Sequence, residues 1–563
     1  MTNLKKSLSL LLVLFSLPGL VNASTVFFNG DILTMEGDSP KYVEAVVVQD
    51  NKISFAGSMS EALIQAGQNP TLSDLKGHTL MPGFIDTWGH FTLVAQDTLA
   101  VNLAYFSKSP PKTKTELIQK LHKEGKPFNG WIVGTGYAPS MLTGGNLTLA
   151  DLDKAFPSQP VLVANISTLG GLVNSVGLKK LGVTKNSKAT AGVIAVDPKT
   201  GELTGELVGN PFFEAVSKAV GSYSQELTFE TYRKAEKIYT SNGFTTVQSY
   251  QSDPADIQNM RQAVAKGVVT VDLIALPQFD VVDQLLKMDS HYQFGVYSKG
   301  DHGFKVAGMM VPTDAAPQLR IAYFTKPYQD TFGYGKDWRG MALYPQSLID
   351  HYAKLAYEKN IQYFAYSNGD AGIDMTLAAV KRAINETGIT QDRRNVISHS
   401  YFARNDQLAQ YKDMNFTMLT LPNQIWLYGD LYLQTLGEDR ASNIAPLASA
   451  HKNGVITGLH NDSPGSGPNV FFTISNAVNR KTYSGKTLGP DECIDPYLAL
   501  QSITINAAYE YKEEDNKGSI TMGKMADLVE LDKNPLKVDL DDIKNIQVIQ
   551  TIKGGKRLYI NGQ

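Results

Sequence analysis

Two pairs of side chains in this sequence combine reactive residue types with a spacing that suits a shared site. His460 and Asp462 are two residues apart beyond a strand-like run at 454–458, and Trp88 and His90 have the same spacing. Residues two apart on a β-strand face the same side, so each pair projects together. Imidazole and carboxylate groups bind divalent metals and transfer protons. The indole of Trp88 can only donate a hydrogen bond and cannot bind a metal.

The single cysteine, Cys493, excludes some chemistry. One thiol cannot form an internal disulfide, and it rules out a metal site built from several cysteines. We interpret Cys493 as a small buried apolar residue.

The middle of the chain alternates short apolar runs with helical segments. Such alternation over roughly 400 residues favours a parallel sheet, and its length suits a closed β/α barrel with insertions. The strand candidates are residues 131–134, 160–164, 244–247, 272–276, 362–365, 395–398 and 454–458.

Both ends of the chain following residue 23 are rich in β-hairpins. Asn29-Gly30 and Asp50-Asn51 are turn signals near the N-terminus, and Gly554-Gly555 is one near the C-terminus. We therefore predict that residues 24–79 and 511–563 build one small β-sandwich, which flanks a barrel of residues 80–510.

Composition excludes several classes of protein. The chain has 563 residues, 42% of them hydrophobic and 19% charged, as in ordinary globular proteins. The net charge of −3, without a strongly basic stretch, gives nucleic-acid binding no electrostatic support. We find no membrane span after the N-terminal run, and the sequence leaves the oligomeric state open.

The first 23 residues resemble an export signal. Lys5 and Lys6 precede a short apolar run at 7–17, and Val21-Asn22-Ala23 fits the small-x-small cleavage rule. We predict cleavage after Ala23 and a periplasmic or secreted protein. A buried N-terminal core helix is the alternative.

A series of motifs along nearly the whole chain resembles the amidohydrolase superfamily. The spacing points to the branch that includes N-substituted formamide deformylase and the YtcJ-type proteins. The motifs are Leu80-Met81-Pro82-Gly83-Phe84-Ile85-Asp86, Asn368-Gly369-Asp370, Ser398-His399-Ser400, Leu459-His460-Asn461-Asp462, Asn479-Arg480, Leu488-Gly489-Pro490-Asp491-Glu492, Lys517-Gly518-Ser519-Ile520 and Gly523-Lys524-Met525-Ala526-Asp527-Leu528-Val529.

The resemblance implies a (β/α)8 barrel with a β-sandwich and a divalent metal at the carboxyl ends of the strands. The metal would acidify a bound water that attacks an amide or related carbon. His90, His399 and Asp462 match metal-ligand positions of the family, and His460 faces the same side as Asp462. Asp462 also matches the carboxylate that accepts the proton of the water.

The same resemblance shows departures from the pattern of the family. Trp88 and Tyr366 stand where relatives have metal-binding histidines. A lysine that bridges two metals in many relatives corresponds either to Met310, which we favour, or to Lys305. Leu169 and Gln424 occupy two further positions where relatives carry histidines.

These replacements leave two interpretations of the site. They remove metal ligands and add apolar or aromatic surface, as in an apolar binding pocket, but decay of an unused site would look the same. The surviving residues are equally compatible with remnants that are hydrogen-bonded inside a polar barrel mouth. We expect at most one divalent ion, with zinc ahead of other metals, and a site without an ion is the alternative.

Two functions follow from these observations. The first is an exported metal-dependent hydrolase that cleaves a non-peptide C–N bond, of amide or formamide type, in a small molecule. The second is a catalytically inactive binding or regulatory protein, such as a regulator of exoenzyme production, that keeps the pocket of the barrel.

Overall fold

The computed structural model describes residues 24–189, 192–221, 223–300, 302–331 and 333–562. The predicted export signal at residues 1–23 lies outside them. None of the described helices is both long and apolar enough to cross a membrane.

The fold begins with five strands and one helix. The turn between the second and third strands is tight because Asp50 and Asn51 both have positive φ angles, of 49° and 69°, which a two-residue hairpin loop of type I′ requires. The elements are β1 (Thr25–Leu33), β2 (Tyr42–Gln49), β3 (Lys52–Gly57), α1 (Met59–Ala66), β4 (Thr71–Asp74) and β5 (Thr79–Pro82).

A short strand and helix, β6 (Phe84–Ile85) and α2 (Phe91–Asp97), lead into a separate six-stranded sheet. Its strand order is β11-β12-β10-β9-β8-β7, with parallel and antiparallel pairs. Its elements are β7 (Val101–Asn102), α3 (Lys114–Glu124), β8 (Ile132–Tyr137), α4 (Leu149–Ala155), β9 (Val161–Asn165), β10 (Gly170–Val173), α5 (Ser175–Leu181), β11 (Gly192–Val196), β12 (Leu203–Gly209) and α6 (Asn210–Val220). We call it the inserted sheet.

Two of the strand candidates lie in this inserted sheet. The runs at 131–134 and 160–164 form β8 and β9, so they are strands but belong to neither of the parallel sheets described next. A buried strand in an insertion has the same apolar run as a barrel strand, so the sequence did not separate them.

The first parallel sheet has the strand order β15-β14-β13-β6. Helices follow β13 and β14, as expected for β/α units. The elements are α7 (Gln225–Thr240), β13 (Phe244–Tyr250), α8 (Pro254–Ala265), β14 (Asp272–Leu276), α9 (Phe279–Met288) and β15 (Phe304–Val306).

The second parallel sheet contains five strands in the order of the chain, β16-β17-β18-β19-β20. Its elements are β16 (Met309–Pro312), α10 (Gln346–Glu358), β17 (Tyr363–Ser367), α11 (Asp370–Thr387), β18 (Val396–His399), α12 (Asn405–Asp413), β19 (Thr417–Thr420), α13 (Asn423–Leu436), α14 (Glu438–Ser442), α15 (Leu447–Lys452), β20 (Thr457–Leu459) and α16 (Val470–Asn479).

The mixed α/β class that the sequence predicted is confirmed. Strand pairing within the described residues gives two separate parallel sheets, however, and not one continuous closed barrel. Both sheets contribute buried side chains to one shared apolar cluster, including Ile85 and Ile274 from the first sheet and Phe364 and Val396 from the second. The two sheets therefore face a common interior.

The last strands return to the first ones. After α17 (Pro496–Gln501) and α18 (Ile505–Glu510), the chain forms β21 (Leu528–Leu531), β22 (Val548–Lys553) and β23 (Lys556–Ile560). The strand β21 pairs antiparallel with β5, which gives a mixed sheet of order β23-β22-β21-β5-β1-β2-β3 with β4 beside β1. Strands from both ends of the chain thus share one sheet, and the full β-sandwich stays a prediction.

Candidate active site at the ends of the parallel strands

The predicted site residues lie at the carboxyl ends of the parallel strands. His399 is the last residue of β18, while His460 and Asp462 follow β20 directly. Trp88 and His90 follow β6, and the backbone ties the two regions together, since the amide N–H of Asp462 donates to the carbonyl of Trp88 at 3.2 Å. Parallel strands end at the same edge of a sheet, so residues distant in sequence meet here.

The carboxylate of Asp462 lies between two imidazoles. Nε2 of His90 is 3.3 Å from Oδ1, and Nε2 of His399 is 3.9 Å from Oδ2. The other ring nitrogen of His399, Nδ1, is 2.9 Å from the hydroxyl of Ser398. That contact orients the imidazole so that Nε2 points at the carboxylate.

The electrostatics of this group favour an ionised carboxylate. Burial by itself would raise the pKa of Asp462, but the hydrogen bond from His90 and the influence of the three histidines outweigh it and hold the pKa well below its usual range. Burial also lowers the pKa of His399 to about 4, against the opposing effect of Asp462. Asp462 is therefore charged and His399 neutral at neutral pH.

His460 is buried beside the pair without a hydrogen bond of its own. Its side chain is 1% exposed, and neither ring nitrogen has a partner in the structure. The ring centroid lies 5.0 Å from that of His399. Burial lowers its pKa well below the ordinary value, so this imidazole is neutral as well.

Aromatic rings fill the space next to the histidines. Trp88 is fully buried, and its ring centroid lies 4.4 Å from Tyr250, 5.5 Å from His399 and 6.1 Å from Tyr366. Tyr250 also directs its hydroxyl at the sulfur of Met310, 3.8 Å away. Trp88, Tyr366 and Met310, the predicted replacements of metal ligands, thus pack together in one cluster.

Lys305 takes part in a buried ion pair. Its ammonium group donates to the carbonyl of Tyr511 at 3.2 Å and pairs with Glu513. Met310 and Tyr511 both belong to the apolar cluster that contains Trp88, so the choice between Met310 and Lys305 for the bridging-lysine position stays a prediction.

Comparison with known proteins agrees with this arrangement. A family model described as the amidohydrolase family matches residues 71–559. This chain belongs to the amidohydrolase family. It is 25% identical to putative amidohydrolase YtcJ of Bacillus subtilis (strain 168), over 95% of this chain and 99% of that protein. It is 24% identical to N-substituted formamide deformylase of Arthrobacter pascens, over 95% and 98% respectively.

The fold is also that of solved relatives. The structure of an uncharacterized metal-dependent hydrolase from Pyrococcus horikoshii OT3 matches with a TM-score of 0.73 and 21% identity, covering 92% of this chain and 99% of that one. The family predicted from the motifs is confirmed.

Membership of the amidohydrolase family implies a divalent metal. At the positions where the resemblance predicts further metal ligands, the structure has the packed side chains of Trp88, Tyr366 and Met310, and an indole cannot bind a metal. Within the described residues, no three or more His, Cys, Asp or Glu side chains are gathered into a ready metal site. Asp462 and the two imidazoles beside it are nevertheless of the donor types that bind divalent metals.

The remaining predicted positions of this amidohydrolase line two adjoining cavities. Gln424 borders a cavity of about 50 Å³ together with His90 and Asp462. Leu169 borders a larger cavity of about 610 Å³, which also reaches His90. Gln424 therefore lines the same small cavity as the Asp462 carboxylate, whereas Leu169 lines only the larger cavity.

Sequence reasoning missed several residues of the site. Tyr250 contacts both Trp88 and His90, with ring centroids 4.4 and 4.9 Å away, and Tyr401 contacts His399 at 5.1 Å. In the structure, the strand predicted at 244–247 extends to Tyr250. The position of Tyr250 at the carboxyl end of a parallel strand could therefore have identified it as a site residue. Asp97, in the wall of the larger cavity, had no such signal.

Proposed function

We propose that this amidohydrolase hydrolyses a non-peptide C–N bond of amide or formamide type in a small molecule, with Asp462 as the reacting carboxylate. The observation that carries the proposal is the carboxylate of Asp462, set between His90 and His399 at the edge of a cavity. A relative that aligns over nearly the whole chain is named for the deformylation of N-substituted formamides.

Asp462 would accept a proton from the attacking water. A carboxylate whose pKa is held this low is a weak base, and proton transfer is most efficient when the pKa lies near the working pH. In this proposal one divalent ion, held by His90, His399 and Asp462, activates the water. These side chains are not gathered as a ready metal site in the described structure, so binding of the ion would have to draw them together. When bound, such an ion lowers the pKa of a coordinated water.

The histidines have separate tasks in this proposal. His399 is neutral and its ring is oriented through the contact of Nδ1 with Ser398, so Nε2 faces the Asp462 side of the site. His90 lines both cavities. It lies beside the carboxylate of Asp462 and would contact a substrate that enters from the larger cavity. The small cavity beside Asp462 leaves room only for a group of a few atoms.

We also propose that the two parallel sheets are the two arcs of one (β/α)8-type barrel, and that the mixed sheet of both chain ends belongs to a β-sandwich. The shared interior cluster supports the first part. The antiparallel pair of β5 with β21 supports the second.

Replacement of Asp462 tests the activity. The protein without residues 1–23 is incubated with N-alkylformamides and N-alkylacetamides, and release of the primary amine is measured. D462N should lower the rate by about 10²- to 10⁴-fold, the range typical of a lost acid–base group. The matched control, D280N on an exposed helix surface, should keep the wild-type rate.

Two outcomes would contradict the proposal. Amine release by D462N at the wild-type rate would mean that another group carries the reaction. No turnover of any amide, with no divalent ion by elemental analysis after equilibration with zinc or manganese, would favour the non-catalytic binding protein.

A further inference from the structure

The inserted sheet forms one wall of the cavity of about 610 Å³. Side chains alternate along its strands, so Val133 and Thr135 of β8 and Leu162 and Ala164 of β9 face the cavity. Val161 and Val163 point to the other side and pack in a separate core. The face that borders the cavity also packs against α6, since Leu162 and Ala164 share an apolar cluster with Phe212.

Two helices complete the lining of this cavity. Val94 and Asp97 come from α2, directly after His90, and Phe212 and Val216 come from α6. These walls are mainly apolar, and the cavity volume lies in the range of about 300–1,000 Å³ that pockets for drug-sized ligands have.

The large cavity adjoins the small one beside Asp462. His90, Ile166, Thr168 and Pro464 line both. A single molecule can therefore place a compact group beside Asp462 and extend a longer group past His90 into the space beneath the inserted sheet.

The charge of the lining selects against anions. None of the described residues that line the large cavity is a lysine or arginine, whereas Asp97 and Glu124 are among them. Burial raises the pKa of Asp97 to about 7, and a hydrogen bond with Thr135 opposes the rise. No fixed positive charge is present to bind a carboxylate or phosphate group.

We propose that the large cavity binds a long apolar substituent of the substrate that carries no negative charge, and that the inserted sheet therefore sets specificity for amides with one compact and one extended hydrophobic side. The inference rests on the proposed function for the reaction itself. Binding of the apolar group, however, is independent of turnover and can be measured without it.

A chain-length comparison tests the inference. N-octylformamide, N-methylformamide and 8-formamidooctanoate are titrated by calorimetry into D462N protein, which binds without turning over. N-octylformamide should bind at least tenfold more tightly than either of the others, because only it offers an extended group without charge. Equal affinities for the octyl and methyl compounds, or tighter binding of the carboxylate, would overturn the inference.

Cavity-filling variants locate the binding site. V133W should weaken binding of N-octylformamide at least tenfold by occupying the cavity from the inserted sheet. V216W should weaken binding to the same extent by occupying the cavity from α6, and it replaces V133W in the test if V133W does not fold. The matched control is V193W, at a position of the same sheet that is 51% exposed, which should bind like the parent protein. Unchanged binding in both cavity variants would place the octyl group elsewhere.

The two proposals fail in different ways. If N-octylformamide binds in the cavity but the wild-type protein hydrolyses no amide, the proposed function fails and this inference holds. If N-methylformamide is hydrolysed as fast as N-octylformamide and the octyl compound gains no affinity, the hydrolase stands and this inference fails.

Discussion

Trp88 is the residue that most changes the chemistry of this site. The indole is fully buried, stacks with Tyr366 at 6.1 Å and contacts both His399 and His460. Its Nε1–H is buried without a hydrogen-bond partner, which carries a cost in free energy. Burial of the large ring against its neighbours offsets that cost.

Restoring metal ligands should raise metal occupancy. W88H with Y366H returns two imidazoles, and adding M310K returns the lysine that, once carboxylated, can bridge two ions. Each single variant returns only one ligand to an incomplete set. Elemental analysis after equilibration with zinc or manganese should give at most one ion per wild-type chain and more in the multiple variant. D462N in the multiple variant should lower occupancy again. Two tightly bound ions in the wild type would contradict the assignment of the ligands.

Asp86 should make stability depend on pH. Burial raises the pKa of Asp86 to about 7, with nearby Asp462 acting in the same direction and backbone hydrogen bonds from Trp88 and Gln248 opposing. The folded state therefore holds a proton that the unfolded state loses near pH 4, so this group destabilises the fold increasingly from pH 4 to pH 7. The penalty above pH 7 is on the order of 4 kcal/mol.

D86N removes that penalty. Urea unfolding at pH 8 should show a gain in stability, and at pH 4.5 the gain should be much smaller. The exposed control D38N should differ little from wild type at either pH. If the gain in stability of D86N over wild type is smaller at pH 8 than at pH 4.5, Asp86 does not hold a proton in the folded state as expected.

The proximity of His90 and Asp462 was predictable, but their surroundings were not. Strand spacing and the motif series predicted that these two residues share a site, and the structure brings them within 3.3 Å. Tyr250 and Asp97 come from segments without a matching motif. Their proximity depends on how β13 and α2 pack, and this is set by tertiary contacts that local sequence does not encode.

At the scale of elements, a buried ion network joins the first parallel sheet to the C-terminal strands. Asp272, the first residue of β14, is fully buried and accepts from Lys517 and from Lys553, the latter at 2.6 Å. Lys553, at the end of β22, also pairs with Asp527 at 2.7 Å. The ammonium groups hold the pKa of Asp272 below its usual range although burial opposes this.

Removing the central charge of this network should destabilise the protein strongly. D272N keeps the side-chain shape but leaves Lys517 and Lys553 with less compensation, and breaking a buried ion pair costs about 3–5 kcal/mol. Urea unfolding measures the loss. The matched control is D541N, which breaks an exposed pair with Lys481 and should change stability little. Similar midpoints for both variants would show that the buried network contributes no net stability.

The order of elements was readable from hydrophobic runs, whereas their grouping into sheets was not. The run at 272–276 coincides with β14, and 395–398 lies within one residue of β18. The runs at 131–134 and 160–164 are strands of the inserted sheet. An apolar run of four or five residues indicates that both faces of a strand are buried. It does not indicate to which sheet the neighbouring strands belong.

At the scale of the whole molecule, the case for export rests on the sequence of the first 23 residues, in which Lys5 and Lys6 precede a short apolar run and Val21-Asn22-Ala23 fits the cleavage rule. We propose cleavage between Ala23 and Ser24 with export to the periplasm or beyond. Intact mass of protein from the periplasmic fraction should equal that of residues 24–563. A mass that includes Met1 to Ala23 would contradict cleavage at this site.

The mixed sheet makes the two ends of the chain dependent on each other. The strand β21 lies between β5 and β22, and Leu80 and Met81 on β5 are fully buried. Without β21, the backbone groups of β5 that pair with it lose their partners, and the apolar side chains beside them become exposed. Lys553, which compensates the buried charge of Asp272, is lost with the same segment.

Deletion of residues 526–563 should therefore abolish folding of more than the C-terminal strands. The truncated protein should be insoluble or lack a cooperative thermal transition, because it exposes the edge of β5 and leaves Asp272 with a single cation. Removal of residues 561–563 alone, beyond the last strand, should leave solubility and the midpoint of thermal unfolding unchanged. Soluble yield and circular dichroism during heating distinguish the cases. A 526–563 deletion that is soluble and unfolds cooperatively would show that the C-terminal strands are an independent unit, and that pairing of β5 with β21 is not needed for the rest of the fold.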